Sequence, residues 1–300
     1  MLWPLFTIIA AAAQTARNAM QRELTATLGT VGATHVRFLF GFPFAILFLT
    51  GVMAWSGAPL PRPSLAYWPW VILGLAAQVT ATALMLAAMN ERSFVVTIAY
   101  LKTEPIQVAV FGLIFLGDAV TWPMLTAILL ATAGVTIMST PLPRKLGMEA
   151  WGRGGIRPTL IGLASAGMFA LSSIGYRGGI LSLHLSSYVM AATFTLAVGI
   201  AMQAVLLSLY LGLRDPVVLL DIVRTWKPSL SAGLAGAVAS QFWFLAFALA
   251  TAASVRTLAL VEVLFAQFFA RFAFGQRTSA REAIGMLLVV CGVGLLLWAY

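Results

Sequence analysis

Long apolar stretches recur along this chain, and short polar connectors separate them. A membrane-spanning helix needs about 20 mainly apolar residues, and ten stretches reach roughly that length. They are residues 2–21, 31–54, 67–89, 94–116, 121–139, 158–176, 185–209, 229–250, 255–274 and 281–299. The pattern predicts an all-α integral membrane protein with ten transmembrane helices, numbered 1 to 10 in this order.

The composition agrees with a bilayer environment. Hydrophobic residues make up 61% of the 300 residues, charged residues 9%, and the mean hydropathy is +0.97. Soluble domains are closer to half apolar and a quarter charged, and a soluble chain of this size cannot hide so much apolar surface from water. The net charge of +9 resides mainly in the connectors. We therefore expect the lipid bilayer, and no nucleic acid, as the surroundings of the protein.

The connector cations predict an orientation. Connectors after helices 1, 3, 5, 7 and 9 hold eleven of them: Arg22, Arg92, Arg144, Lys145, Arg153, Arg157, Arg214, Arg224, Lys227, Arg277 and Arg281. The opposite face holds Arg62, Arg177 and, at a helix boundary, Arg256. Because cytoplasmic connectors are enriched in Lys and Arg, this split predicts that both chain termini lie outside the cytoplasm.

The sequence of helices 8–10 resembles that of helices 3–5. Residues 69–87 align with 228–246, and further along Glu104 aligns with Glu262. A repeat of five helices has an odd number of spans, so its second copy enters the membrane from the opposite side. Such inverted repeats predict a substrate site near the membrane midplane between the two copies. The predicted five-helix repeats are residues 1–140 and residues 158–300.

The stretch "EPIQVAVFGLIFLGD" in helix 4, with five plus five helices and short connectors, resembles EamA-type transporters of the drug/metabolite transporter superfamily. Within it, YddG-type amino-acid exporters are the most similar. The resemblance implies a bacterial inner-membrane exporter of small amphipathic metabolites, including apolar and aromatic amino acids, that works by alternating access. Family members close helices 4 and 9 with Gly-Glu, whereas this chain has Gly117-Asp118 and Gly275-Gln276.

Polar residues inside the apolar stretches are the candidates for substrate binding, because charges at membrane depth are costly and usually face a cavity or a partner. Helical rotation places Tyr100, Thr103, Glu104 and Gln107 on one face, and Pro105 predicts a kink there. The predicted substrate-binding residues are Tyr100, Thr103, Glu104, Gln107, Gln78, Gln241, Trp243 and Glu262. In the structural alternative, Glu104 pairs with an arginine such as Arg37 and holds two helices together.

Further polar and small residues have structural interpretations. Arg17, in a polar stripe of helix 1, is expected to extend to the membrane interface, and His35 to be a satisfied residue at a helix end. Small residues in helices 5 and 10 predict close packing within one chain, which favours a monomer over a homodimer. These small residues are Ala127, Ala131, Gly134, Gly285 and Gly292.

Two other kinds of transport remain as alternatives. Glu104 and Glu262 could exchange protons for cationic drugs, and a cavity with clustered cations could exchange sugar phosphates or nucleotide sugars. An enzyme is not expected, because two His and one Cys offer little material for a metal site or a catalytic triad. We predict no catalytic residue, no cofactor and no metal, with a small-molecule substrate as the ligand.

Overall fold

The computed structural model describes residues 1–91, 100–139, 157–265, 267 and 279–300, and these residues contain helices and no strands. The all-α prediction is therefore confirmed for the described part of the chain. The remaining residues include part of the predicted helices 4 and 9, several of the connector cations and the Gly275-Gln276 pair, all of which lie outside the described residues.

The helices follow the predicted apolar stretches. Their bounds are α1 Trp3–Leu39, α2 Gly41–Ser56, α3 Tyr67–Glu91, α4 Glu104–Phe111, α5 Trp122–Ser139, α6 Arg157–Ser182, α7 Tyr188–Arg214, α8 Pro216–Arg224, α9 Trp226–Leu249, α10 Ala252–Leu258 and α11 Ala280–Trp298. A π-helical turn, Gly112–Leu116, extends α4, and a 3-10 turn, Ala259–Val261, extends α10. Within the described ranges, six helical segments are long and apolar enough to cross a membrane, and two shorter apolar helices accompany them.

Helix α1 consists of two arms that fold back at Gly29. In a continuous helix Arg17 and Arg37 would lie about 30 Å apart. Instead, Arg17 Cδ and Arg37 Cβ lie 3.3 and 3.4 Å from the point where a Cβ on Gly236 would stand. Gly29 has φ 65° and ψ 178°, a conformation that is open essentially only to glycine. The two arms therefore correspond to helix 1 and the start of helix 2, as the sequence predicts.

The contacts divide the chain into two units, and each takes helices from both predicted repeats. Unit 1 comprises Met1–Val71 and Tyr176–Ala250, and unit 2 comprises Ile72–Gly175 and Thr251–Tyr300. In unit 1, one buried cluster joins both arms of α1 to α7, α8 and α9. Its members are Leu24, Leu28, Ala33, Val36, Leu211, Ile222 and Ala232.

Arg177 does not lie in a connector, where the sequence analysis counted it among the cations. Helix α6 continues past this residue, and Arg177 is only 8% exposed. Its Nη1 donates hydrogen bonds to the carbonyl oxygens of Phe247 and Ala250, at 2.9 and 2.7 Å. Carbonyl groups at a helix end have no partner within the helix, so the guanidinium and the end of α9 satisfy each other. The prediction that Arg177 is a connector cation is wrong.

In unit 2, α5 and α11 pack against each other through small residues. A Cβ on Gly134 would stand 2.6 Å from the carbonyl oxygen of Gly285, and a Cβ on Gly292 would stand 2.8 Å from that of Ala127. Only a hydrogen atom fits at these distances, so the two backbones approach closely and run antiparallel. The predicted packing of these small residues within one chain is confirmed.

This contact predicts that Gly292→Leu destabilises the protein while Gly294→Leu does not. Overpacking of a close contact costs about 1–3 kcal/mol, whereas nothing lies within 4 Å of a Cβ on Gly294 in the same helix. Thermal unfolding of the purified protein in detergent measures both effects. Equal melting temperatures for the two variants would contradict the packing.

Candidate substrate site

The helical path is interrupted immediately before α4. Lys102 and Thr103 form a turn, in which the Thr103 N–H donates to the Tyr100 carbonyl at 3.1 Å. Helix α4 then begins at Glu104 with Pro105 in its first turn. Proline has no N–H to continue the preceding helix, so the kink predicted at Pro105 is confirmed. The charged side chains of Lys102 and Glu104 therefore stand at a break in the helix.

A second irregular segment carries Glu262. Thr251 caps the start of α10 by accepting a hydrogen bond from the Ser254 N–H at 3.2 Å. The helix ends at Leu258, and a 3-10 turn leads directly to Glu262. Interrupted helices at membrane depth are typical of transporter binding sites, where their backbone can line a cavity. Both predicted glutamates thus occupy such segments.

Two ion pairs join these segments within unit 2. Lys102 Nζ lies 2.5 Å from Glu262 Oε1, and Arg256 Nε lies 3.1 Å from Glu104 Oε1. The four side chains are between 18% and 23% exposed. Each pair connects a residue of the first predicted repeat with one of the second, so the pairs are crossed. We call these four residues the charge quartet, and two cations and two carboxylates give it no net charge.

The contact between Arg256 and Glu104 is an ion pair without a hydrogen bond. The Arg256 Nε–H donates to Ser173 Oγ at 3.0 Å, and Glu104 Oε1 is buried with no hydrogen-bond partner. Buried carboxylate oxygens normally accept at least one hydrogen bond. The geometry therefore leaves a buried carboxylate oxygen that can accept a hydrogen bond beside the break in the helix.

Further polar groups lie beside the quartet, and they belong to the segment before α4, to α4 and to α6. The Tyr100 hydroxyl and Thr159 Oγ1 are 2.9 Å apart, while Gln107 Nε2 donates to Thr103 Oγ1 at 3.1 Å. Glycines of α6 permit this approach, because a Cβ on Gly162 would stand 2.7 Å from the Tyr100 ring. The structure thus places five of the eight predicted site residues in or beside the quartet: Tyr100, Thr103, Glu104, Gln107 and Glu262.

The other three predicted residues lie elsewhere on the helices. Gln78 is half-buried on α3 in unit 2. Gln241 and Trp243 belong to α9 in unit 1, where Gln241 Nε2 donates to Thr193 Oγ1 at 2.7 Å and Trp243 Nε1 donates to Gln14 Oε1 at 3.1 Å. Gln14, a member of the polar stripe of helix 1, therefore contacts α9.

Sequence reasoning missed the role of Arg256. It was predicted at the boundary of a connector, and that prediction is wrong, because Arg256 lies inside α10 and pairs with Glu104. Its position among apolar residues indicated depth, but the sequence did not indicate which carboxylate it would meet. The structure pairs Glu104 with Arg256, which agrees with the part of the structural alternative that gives Glu104 an arginine partner.

The outcomes for Arg17 and His35 differ. Arg17 is 8% exposed, so the prediction that its side chain extends to the membrane interface is wrong. His35 is fully buried, and its Nε2 lies 3.0 Å from Ser208 Oγ. Its Nδ1 is buried without a hydrogen-bond partner, so the predicted satisfied histidine is confirmed at one ring nitrogen and not at the other. Among the residues that the structure describes, no cluster of His, Cys, Asp or Glu could hold a metal ion.

The first part of the chain is similar to one known protein family. Residues 1–140 match the EamA-like transporter family. Over these residues the chain is similar to a family of membrane transporters. The apolar helices of the described residues agree with a multi-pass membrane protein.

One solved structure is similar to this chain in fold. The neighbour is described only as the crystal structure of a protein, and it superposes on this chain with a TM-score of 0.73 at 15% identity. The match covers 99% of this chain and 96% of the other. At that identity the likeness shows the fold. No curated protein sequence matches the chain.

The crossed pairs predict that exchanging the charges of Lys102 and Glu262 restores stability. Lys102→Glu or Glu262→Lys alone should lower the free energy of unfolding by about 1–3 kcal/mol, since each leaves a charge without its partner. The double variant should recover most of that loss. The exposed pair Arg224–Asp221 is the matched control, because charge changes there should cost about 1 kcal/mol or less. Similar losses at both pairs in thermal unfolding would rule out a stabilising role for the quartet.

Proposed function

We propose that this protein exports small amphipathic metabolites, chiefly amino acids with apolar or aromatic side chains, from the bacterial cytoplasm across the inner membrane by alternating access. One observation carries the proposal: Glu104 Oε1 is buried, lies beside Arg256 and accepts no hydrogen bond. An ammonium group has three N–H donors and fits this acceptor. The amino group of the substrate would therefore bind Glu104.

The zero net charge of the quartet supports a zwitterionic substrate. An ammonium group that binds Glu104 competes with Arg256, and a substrate carboxylate can then pair with the displaced cation. Because the substrate brings one charge of each sign, every charge keeps a counter-charge during the exchange. An unpaired charge at membrane depth would cost several kcal/mol. Ion-pair exchange thus lets a zwitterion bind and leave without the free-energy cost of an unpaired charge.

The other two kinds of substrate fit this arrangement less well. A cationic drug at Glu104 or Glu262 would displace Arg256 or Lys102 and would bring no anion to pair with it. A sugar phosphate or nucleotide sugar would need an excess of cations, which the quartet lacks. The balance of charge therefore favours amino acids over both alternatives.

The direction of export rests on the family resemblance. The connector cations support the orientation of the protein in the membrane. With Arg177 and Arg256 inside helices, Arg62 is the remaining cation of the three assigned to the extracytoplasmic face. On the other face, several cations lie exposed at helix ends, as a cytoplasmic surface requires. These are Arg157, Arg214, Arg224 and Lys227. The corrected distribution strengthens the predicted orientation.

A proteoliposome uptake panel tests the proposed function. Apolar and aromatic amino acids, quaternary amines and nucleotide sugars are compared with and without a pH gradient. We expect uptake of the amino acids, its loss in Glu104→Gln, and its retention in the control Glu23→Gln, whose glutamate is exposed on α1. Uptake of quaternary amines alone, driven by the pH gradient, would instead identify a drug–proton exchanger. Uptake of nucleotide sugars alone would identify the third class.

A further inference from the structure

Arg256 lies between two oxygen acceptors inside unit 2. Its Nε is 3.0 Å from Ser173 Oγ on α6 and 3.1 Å from Glu104 Oε1. The Nε of an arginine bears a single hydrogen, and this hydrogen is directed at the serine. Glu104 Oε1 is buried and accepts no hydrogen bond. The serine therefore receives the hydrogen bond that the carboxylate, at almost the same distance, does not receive.

The hydroxyl group of Ser173 is oriented to accept. Ser173 is 1% exposed, and its Oγ donates a hydrogen bond to the Phe169 carbonyl oxygen, one turn earlier in α6, at 3.2 Å. Because a hydroxyl group has one hydrogen and two lone pairs, the oxygen is left to accept from Arg256. The backbone of α6 thus fixes both the place of the serine and its role as an acceptor.

The direction of the Nε–H affects how firmly Arg256 holds Glu104. Hydrogen bonds between two ionised groups are about twice as strong as those between neutral groups. An Nε–H directed at Glu104 would therefore make this ion pair harder to separate. The contact with Ser173 prevents that and keeps Arg256 attached to α6, whatever partners the terminal nitrogens of the guanidinium have.

We propose that Ser173 is a positioning residue for ion-pair exchange: by accepting the Arg256 Nε–H, it keeps Glu104 Oε1 able to bind the substrate ammonium group. When the ammonium group binds, Arg256 stays attached to α6 through the serine, and its charge pairs with the substrate carboxylate. The inference rests on the proposed function for the identity of the substrate. The role of Ser173 itself rests on contacts within unit 2.

Substitution of Ser173 separates this role from a structural one. In Ser173→Ala the Arg256 Nε–H can turn to Glu104 Oε1, 3.1 Å away, so one hydrogen bond replaces another and the melting temperature should stay the same. The variant should bind L-phenylalanine about tenfold more weakly or worse, because the substrate now competes with a hydrogen bond between charged groups. Ser173→Thr keeps the hydroxyl group and should bind phenylalanine like wild type.

Ser165 supplies the matched control on the same helix. It is fully buried, and its Oγ donates to the Ala81 carbonyl oxygen at 2.8 Å. Ser165→Ala removes a buried hydrogen bond and should lower the melting temperature, with no change in phenylalanine affinity. Calorimetry on the purified proteins gives the dissociation constants, which do not depend on the fraction of active protein, and thermal unfolding without ligand gives the melting temperatures.

The outcomes distinguish the inference from the proposed function. Wild-type affinity for phenylalanine in Ser173→Ala would overturn the positioning role and leave the proposed function standing. Failure of Ser173→Ala to fold, or a melting temperature as low as that of Ser165→Ala, would make Ser173 a structural residue with the same consequence. If wild type binds no apolar or aromatic amino acid, the proposed function is overturned, and with it the role of Ser173 in substrate exchange.

Discussion

The need to pair every charge inside the bilayer governs the centre of this protein. The turn before α4 and the start of α4 supply Lys102 and Glu104, and the segment around α10 supplies Arg256 and Glu262. Each segment carries one charge of each sign, and each carboxylate finds its cation on the other segment. The crossed pairs therefore join the two segments at the points where their helices are interrupted. In the proposed mechanism, a substrate that carries one positive and one negative charge can separate the two members of an ion pair.

Glycines provide the close contacts that hold this centre. Gly162 and Gly167 of α6 admit Tyr100 and Gln107, so the polar face of α4 packs directly on a helix backbone. Gly134 and Gly292 do the same for α5 and α11 in unit 2. Lipid offers little hydrophobic drive for helices to associate, and close backbone packing takes its place. In unit 1, Gly29 acts differently, because its backbone conformation reverses α1.

Local rules predicted much of this architecture from the sequence. Apolar stretches gave the helices, proline chemistry gave the break before α4, and the internal repeat related Glu104 to Glu262. The partners of charged residues were not predictable in this way. The pairing of Lys102 with Glu262 spans 160 residues, and the cations do not follow the repeat that relates the glutamates. Arg17 was predicted at the membrane interface and Arg177 in a connector. The sequence shows that burying an arginine costs free energy, but it does not show which groups offset that cost.

The central claim is that a substrate binds by exchanging with the crossed pairs, which should change the separation of α4 and the segment that carries Glu262. Pulsed electron paramagnetic resonance can measure this separation with spin labels at Val110 and Phe265, both exposed, after the exposed Cys291 is replaced by serine. The account predicts that a saturating transported amino acid shifts the distance distribution in the reconstituted protein, whereas an untransported amino acid does not. An unchanged distribution with an amino acid that the labelled protein transports would contradict it.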